Sequence, residues 1–375
     1  MAPVLAPATL GILGGGQLGR MTALAARSLG MGVQVLDPDA DCAARPIVDR
    51  VVAASFDDAD GARELARGCD VVTIEIEQIA PAALAAAMEH APVRPGAELL
   101  RVVQHRGRQK QWLHDKGFPV GRYAHVASAD ELAAAARDIG PALFVKACEG
   151  GYDGRSQIRF DGVDAPGAWA SLGGRASVAE QALDLELELS VLVARRVSGD
   201  LVVYPPAVNH HERQILAWSV LPGELDPAIV REARALARGI AESVALEGIL
   251  AVEMFLLRDG RLLVNELAPR PHNSYHASEL ACPTSQFEQL VRAVCDLPLG
   301  DVEPVRPAAI VNLFGDLWLG ERAPDFAAAL GIGGTRLFLY GKRGPRAGRK
   351  MGHLAAIGDS PADALRRVQR AASLL

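Results

Sequence analysis

Glu253 and Glu266 lie in the segment AVEMFLLRDGRLLVNELAPRPHNS, where two apolar runs flank Asp259-Gly260. Asp-Gly between apolar runs is among the strongest two-residue hairpin signals, because both central positions favour positive φ. A turn closed there sets Leu257 opposite Leu262 and, counting outward, Glu253 opposite Glu266. Directly opposed residues hold their Cβ atoms ~4.5–5.5 Å apart, where like charges repel. The pair then needs a counterion. Mg2+ suits it, being a hard cation usually held by one or two carboxylates plus substrate phosphates. The other reading is a single glutamate solvated at a strand end.

Three further constellations could bind anions. Gly14-Gly15-Gly16-Gln17-Leu18-Gly19 is a G-x-G-x-x-G between a predicted strand and a predicted helix, and Asp37 ends the next strand. Alone this invites a dinucleotide-binding, oxidoreductase reading. The physics asks only for some anion at a helix N-terminus, or for a tight strand–helix turn with no ligand. Lys146 is followed by Glu149-Gly150-Gly151-Tyr152-Asp153-Gly154-Arg155-Ser156. A strand lysine with a glycine loop can clamp polyphosphate from one side, although no Gly-Lys-Ser/Thr closes it as in Walker A. A surface hairpin with a solvated lysine is the alternative. The tail loop Arg346-Ala347-Gly348-Arg349-Lys350-Met351-Gly352-His353 contains no carboxylate, so its charge reads as reserved for a ligand anion or as a solvated basic turn. Glu180-Gln181-Ala182-Leu183 ends a strand and could read an adenine edge through main-chain groups, with Glu188 taking ribose hydroxyls. Glu75 ends the third predicted N-terminal strand, where a ribose-binding acid sits at the mouth of an open α/β sheet.

These residues need elements to hold them. The first hundred residues alternate: strands at 9–13, 33–36 and 71–74, helices at 17–29, 61–67 and 81–88. That repetition predicts a parallel, doubly wound sheet. A polar helix around 105–116 leads out of it. Strand signals at 120–125 and 143–146 around a helix at 129–137 predict a smaller α+β unit. Strand patterns follow at 188–196, 201–204 and 214–220, with a polar loop before the last, and the helix 227–246 precedes the hairpin. The predicted division is 1–100, 101–183 and 184–375. A chain of 375 residues, half of them hydrophobic and 22% charged, has a large core and is globular. Its net charge of −6 argues against nucleic acid as a partner. Five scattered cysteines suit a reducing compartment. The N-terminus lacks a basic n-region and no run approaches the ~20 apolar residues of a membrane span, so a cytoplasmic location is expected.

GILGGGQLGRM, VKACEGGYDGRSQ, NELAPRPHNS and RAGRKMGH, in this order and spacing, resemble the 5-(carboxyamino)imidazole ribonucleotide synthase family of the ATP-grasp superfamily. The resemblance runs from about residue 10 to about residue 353. It implies a three-domain ATP-grasp fold: an N-terminal Rossmann-like parallel sheet, a small lid domain and a C-terminal antiparallel-sheet domain. It also implies ATP, Mg2+ and bicarbonate as reactants, 5-aminoimidazole ribonucleotide as substrate, and a homodimer. On that resemblance Arg106, Lys146, Gly151, Tyr152, Asp153, Gly154, Arg155, Ser156 and Gln157 face ATP phosphates. Glu180, Gln181, Ala182, Leu183, Glu188, His211, Asn265 and Glu266 complete the nucleotide pocket. Glu253 and Glu266 hold the metal. Tyr152, Asp153, Arg155, Arg270 and His272 attend the chemistry. Gly15, Gly16, Gln17, Leu18, Glu75, Asn273, Arg346, Arg349 and Lys350 bind the ribonucleotide, Lys350 at its 5′-phosphate. The chain departs from the family at Arg155 and Ser156, where the lid commonly reads Lys-Gly, at Tyr275 in place of Gly, and in an EQAL lacking the usual aromatic. A formyl-transferring ATP-grasp ligase would share the hairpin acids but not RAGRKMGH beside GGYDGR. An oxidoreductase leaves those acids unexplained, and an inactive binding protein would be expected to lose one of them or the lysine.

Overall fold

The computed structural model describes residues 3–150 and 156–375. Among these residues the strands form three sheets that follow one another along the chain. The first contains β1 (Thr9–Leu13), β2 (Gly32–Asp37), β3 (Arg50–Ala53) and β4 (Val71–Ile74), all parallel, in the order β3-β2-β1-β4. β1 and β4 are buried on both faces, which is why they read as continuous apolar runs. The chain winds outward from β1 to β3 and returns to the other side of β1 with β4. The crevice beyond the carboxyl ends of β1 and β4 is therefore the switch point where open α/β sheets bind ligands.

The second sheet is antiparallel and comprises β5 (Tyr123–Val126), β6 (Leu143–Ala147), β7 (Gln157–Phe160) and β8 (Ser177–Gln181), in the order β5-β8-β6-β7. The helices Ala129–Ile139 and Ala165–Ser171 close its core of Leu132, Ile139, Leu143, Val145 and Phe160.

The third sheet has nine strands: β9 (Leu185–Arg195), β10 (Leu201–Val203), β11 (Ala207–Glu212), β12 (Ile215–Leu221), β13 (Gly248–Leu257), β14 (Leu262–Ala268), β15 (Ala308–Phe314), β16 (Thr335–Leu339) and β17 (Lys350–Ile357). Its order is β14-β13-β9-β11-β12-β15-β17-β16, with β10 paired to β9. β11 stands where the sequence suggested a polar loop. Its inward residue Asn209 is buried but polar, satisfied by Ser190 at 3.1 Å and Ser219 at 2.9 Å, so no apolar alternation marks the strand.

The helix Arg106–Asp115 joins the first sheet to the other two. His105 caps it, its Nδ1 accepting from the Arg108 N–H at 3.1 Å. The Arg106 N–H donates to the Cys148 carbonyl at 3.0 Å, tying the helix start to the end of β6. Gln109 accepts from the Leu267 N–H at 3.1 Å, docking the helix against the edge strand β14. Arg106 and Lys110, four residues apart, consequently share one helical face.

Candidate active site

β13 and β14 pair so that Glu253 stands opposite Glu266, but by a different route from a two-residue turn. The loop has three residues, because the Leu257 N–H donates to the Arg261 carbonyl at 2.9 Å, and Gly260 takes the left-handed φ of 85° such a loop requires. Near the turn the register is therefore Leu256↔Leu262, one residue from the expected one. A bulge then restores it: Met254 pairs with Val264 and Glu253 with Glu266, leaving Asn265 as the extra residue. The two offsets cancel. Bulges re-aim side chains beside functional sites, and Asn265 faces the cleft.

That cleft, of about 310 Å³, lies between the second and third sheets. The hairpin contributes Glu253, Asn265 and Glu266, and the segment after it Arg270, His272 and Asn273. The helix adds Arg106 and Lys110, and β6 and β7 add Lys146 and Gln157. Glu180, Gln181, Leu183 and Glu188 come from β8 and β9, His211 from β11 and Lys350 from the start of β17. Ala182 and Ser156 are not on its wall. Gly151, Tyr152, Asp153, Gly154 and Arg155 lie outside the described residues.

Each acid in the cleft has a basic side chain as partner. Glu253 Oε1 is 2.9 Å from His272 Nε2, and Glu266 Oε2 is 3.0 Å from Arg106 Nη1. Glu188 Oε2 lies 2.9 Å from His211 Nδ1. Burial opposes the charge on His211, but Glu188 outweighs it and raises the imidazole above its ordinary value. Arg270 pairs with Glu77 at 2.7 Å, just beyond β4, so the first sheet reaches the cleft through it.

Among the described residues no cluster of three or more His, Cys, Asp or Glu side chains could hold a metal by itself. The donors at the hairpin are two carboxylates with His272 and Arg106 beside them. Such a site fits a hard divalent cation only if ligand oxygens complete its shell, as phosphates do for Mg2+.

Glu180 lines the cleft between two lysines. Its Oε1 is 3.0 Å from Lys146 Nζ and its Oε2 is 2.8 Å from Lys110 Nζ, and all three side chains are nearly buried. Burial alone would raise this carboxyl, but the two ammonium groups outweigh it and hold it at about 2. The main-chain N–H groups of Gln181 and Ala182 donate to the Arg122 and Ala142 carbonyls, at 2.9 and 3.0 Å, so those two donors are committed within the fold. A carboxyl lowered in the fold stabilises it above the usual carboxylate range, and that stability is lost as pH falls to about 2. Glu180→Gln is expected to be less stable at neutral pH, since two buried ammonium groups lose their counterion, and to have a flatter acid limb. The wild type should lose on the order of 3 kcal/mol more than the variant across that window. Urea unfolding at successive pH values measures it, and parallel profiles would contradict the pairing.

The glycine loop lies at the switch point, with its amides already engaged. The Gly16 N–H donates to Glu75 Oε1 at 2.6 Å, the Gly19 N–H donates to Glu75 Oε2, and the Gly15 N–H donates to Asp37 Oδ2 at 2.8 Å. Any Cβ on Gly16 would collide with the Glu75 carboxylate. Burial pushes both acids up, against the amide hydrogen bonds that favour their charge. The Gly15, Gly16 and Gly19 amides, expected to face a phosphate, are thus hydrogen-bonded to two carboxylates in this structure, and Asp37 also accepts from the Asp39 N–H at 2.9 Å. Gln17 begins the helix Gln17–Ser28, and its Oε1 accepts from Lys342 Nζ.

Lys342 was missed in the sequence, since it precedes the RAGRKMGH motif. Within that motif Arg349 donates to the Arg343 and Gly344 carbonyls, which holds the loop's own shape. Arg346 is exposed, with its main chain packed on Gly315. Lys350 is buried and lines the cleft, as does Asn273. Carboxylates outside the loop also meet it: Asp41 pairs with Arg343 at 2.8 Å, and Asp316 accepts from the Gly348 N–H at 2.7 Å. Lys110 was missed too, although its four-residue spacing from Arg106 was a usable signal.

Family models match the chain in three stretches. Residues 7–104 match the ribonucleotide synthetase preATP-grasp domain, 111–287 the ATP-grasp domain, and 308–367 the phosphoribosylaminoimidazole carboxylase C-terminal domain. The chain is 40% identical over 349 residues to N5-carboxyaminoimidazole ribonucleotide synthase of Bacillus subtilis, covering 92% of this chain and 90% of that one. It is 38% identical to the enzyme of that name from Brucella melitensis, over 93% and 96% of the two chains. A solved ADP complex of an N5-carboxyaminoimidazole ribonucleotide synthetase superposes with TM-score 0.93 at 37% identity, over 99% and 98%. The Aspergillus clavatus N5-carboxyaminoimidazole synthase with ADP and 5-aminoimidazole ribonucleotide gives TM-score 0.90 at 32% identity, over 98% of each chain.

Proposed function

The chain belongs to the N5-carboxyaminoimidazole ribonucleotide synthase family of ATP-grasp enzymes, and from that premise we propose how its residues divide the reaction. The activity is ATP-dependent formation of N5-carboxyaminoimidazole ribonucleotide from 5-aminoimidazole ribonucleotide, a step of purine biosynthesis. A bicarbonate oxygen attacks the γ-phosphorus, the bond to the β-phosphate oxygen breaks, and ADP leaves. The resulting carboxyphosphate separates into CO2 and phosphate. The exocyclic amine of the ribonucleotide adds to the CO2 carbon and gives up a proton.

Phosphoryl transfer demands positioning and neutralisation of charge. Arg106 and Lys146 supply positive charge to the phosphates, and Glu253 and Glu266 would hold Mg2+, which would supply further neutralisation of phosphate charge there. Arg270 and His272 receive the bicarbonate-derived anion. On the family resemblance, Asp153 orients or deprotonates the amine. The observation carrying this reading is Glu253 opposite Glu266 in a cleft that Arg106, Lys110 and Lys146 also line. A cytoplasmic homodimer completes the proposal on the family resemblance.

Substrate phosphate recognition is assigned to Lys342 together with Gln17, on the strength of their contact at the mouth of the first sheet. Lys342→Ala is expected to raise the ribonucleotide KM about tenfold to a hundredfold, the value of one charge-assisted contact, with little change for ATP. An equal loss for both substrates would contradict it. The function as a whole is tested by ADP release with and without 5-aminoimidazole ribonucleotide. Release that depends on the ribonucleotide supports it, whereas micromolar NAD binding with no ADP release would overturn it.

A further inference from the structure

Glu180 is a buried carboxylate beside Lys146, the lysine assigned above to the nucleotide phosphates. A carboxylate at 3.0 Å neutralises the lysine it touches, which is a poor arrangement for a phosphate-binding group. Lys110 alters that balance. It stands on the opposite side of the same carboxylate at 2.8 Å, brought there by the helix that also carries Arg106. Two ammonium groups against one carboxylate leave one unit of positive charge in this corner of the cleft. All three residues border the cleft, and Lys110 and Glu180 are nearly closed off from solvent, so this charge is weakly screened.

We propose that Lys110 is a positioning residue for nucleotide binding: it holds the second oxygen of Glu180, so that Glu180 fixes Lys146 in place without cancelling its charge toward the phosphates. The carboxylate is divided between its two oxygens, one for each lysine. Removing Lys110 leaves Glu180 with Lys146 alone, and the pair becomes neutral. Removing Glu180 as well restores the single positive charge, though with a less constrained lysine. Electrostatic balance therefore predicts a sign that a packing role does not: the second substitution repairs part of the damage done by the first.

This inference rests on the nucleotide-binding reading, and the experiment separates the two. ADP affinity by calorimetry and the KM for ATP are measured for wild type, Lys110→Met, Lys110→Arg and the double variant Lys110→Met with Glu180→Gln, each checked for folding by thermal unfolding. Wild type that fails to bind ADP would overturn the nucleotide reading itself. Given binding, Lys110→Met is expected to weaken ADP and raise the KM for ATP about tenfold to a hundredfold, with kcat at saturating ATP and the ribonucleotide KM nearly unchanged. Lys110→Arg keeps the charge and should retain most of the affinity, and the double variant should bind ADP better than Lys110→Met. Unchanged affinity in Lys110→Met, or a double variant no better than the single one, would overturn the proposal. Should Lys110→Met not fold, the comparison of Lys110→Arg with the double variant decides: a double variant that binds as poorly as a general loss of packing requires counts against it, and one close to Lys110→Arg supports it.

Discussion

Glu266→Gln is expected to lower turnover by on the order of a thousandfold while the protein stays folded. The substitution keeps the shape of a side chain whose carboxylate is directly opposed by Glu253 and faces a cleft open to solvent. Removing one of two like charges relieves repulsion across the hairpin, so β13 and β14 have no electrostatic reason to separate. The loss falls on function: one of two hard oxygen donors for Mg2+ is gone, and Arg106 loses the carboxylate 3.0 Å away that orients it. ADP release across a Mg2+ titration, with thermal unfolding alongside, measures both halves. Turnover close to wild type at limiting Mg2+ would remove Glu266 from the metal site.

Asp153→Ala is expected to cut carboxylation as severely but to spare some ATP hydrolysis, so that ADP outruns product. Asp153 sits in GGYDGR, after the strand lysine assigned to ATP and before the hairpin acids. Carboxyphosphate made without a captured amine has only water to meet, and its decay releases CO2 unused. The ratio of ADP to carboxylated ribonucleotide reads the effect directly. A ratio of one at near-normal rate would leave Asp153 without this role.

The outline of the fold was legible wherever one apolar period dominated. β1, β4 and the helix Pro81–Met88 coincide with the expected spans, because buried parallel strands and a proline-led helix leave unambiguous patterns. The hairpin was harder. Counting from Asp259-Gly260 gave the right opposition of Glu253 and Glu266, yet through a three-residue loop and a compensating bulge that residue counting does not contain. β11 was invisible because Asn209 faces inward against serines, where a sequence reader expects an apolar residue.

The site residues were legible as types more than as contacts. Glu75 was recognised as an acid at the mouth of the first sheet, but nothing in its neighbours along the chain shows that it accepts from the glycine-loop amides. A carboxylate withdrawn from water needs donors, and those that Glu75 finds lie 59 and 56 residues away in sequence. The basic tail was read by counting charges. The structure separates those charges into Arg349, which donates to the Arg343 and Gly344 carbonyls, exposed Arg346, and Lys350 in the cleft, while Lys342 outside the motif meets Gln17. Lys110 followed Arg106 at helical spacing and still escaped notice, since a lysine on a polar helix usually faces water.

The route from bicarbonate through carboxyphosphate is tested most directly with bicarbonate carrying heavy oxygen. The oxygen that attacks the γ-phosphorus stays with phosphorus when the C–O bond breaks, so the account predicts one labelled oxygen in each phosphate released during carboxylation. Phosphate that carries no bicarbonate oxygen, formed at the same rate as the carboxylated product, would contradict it.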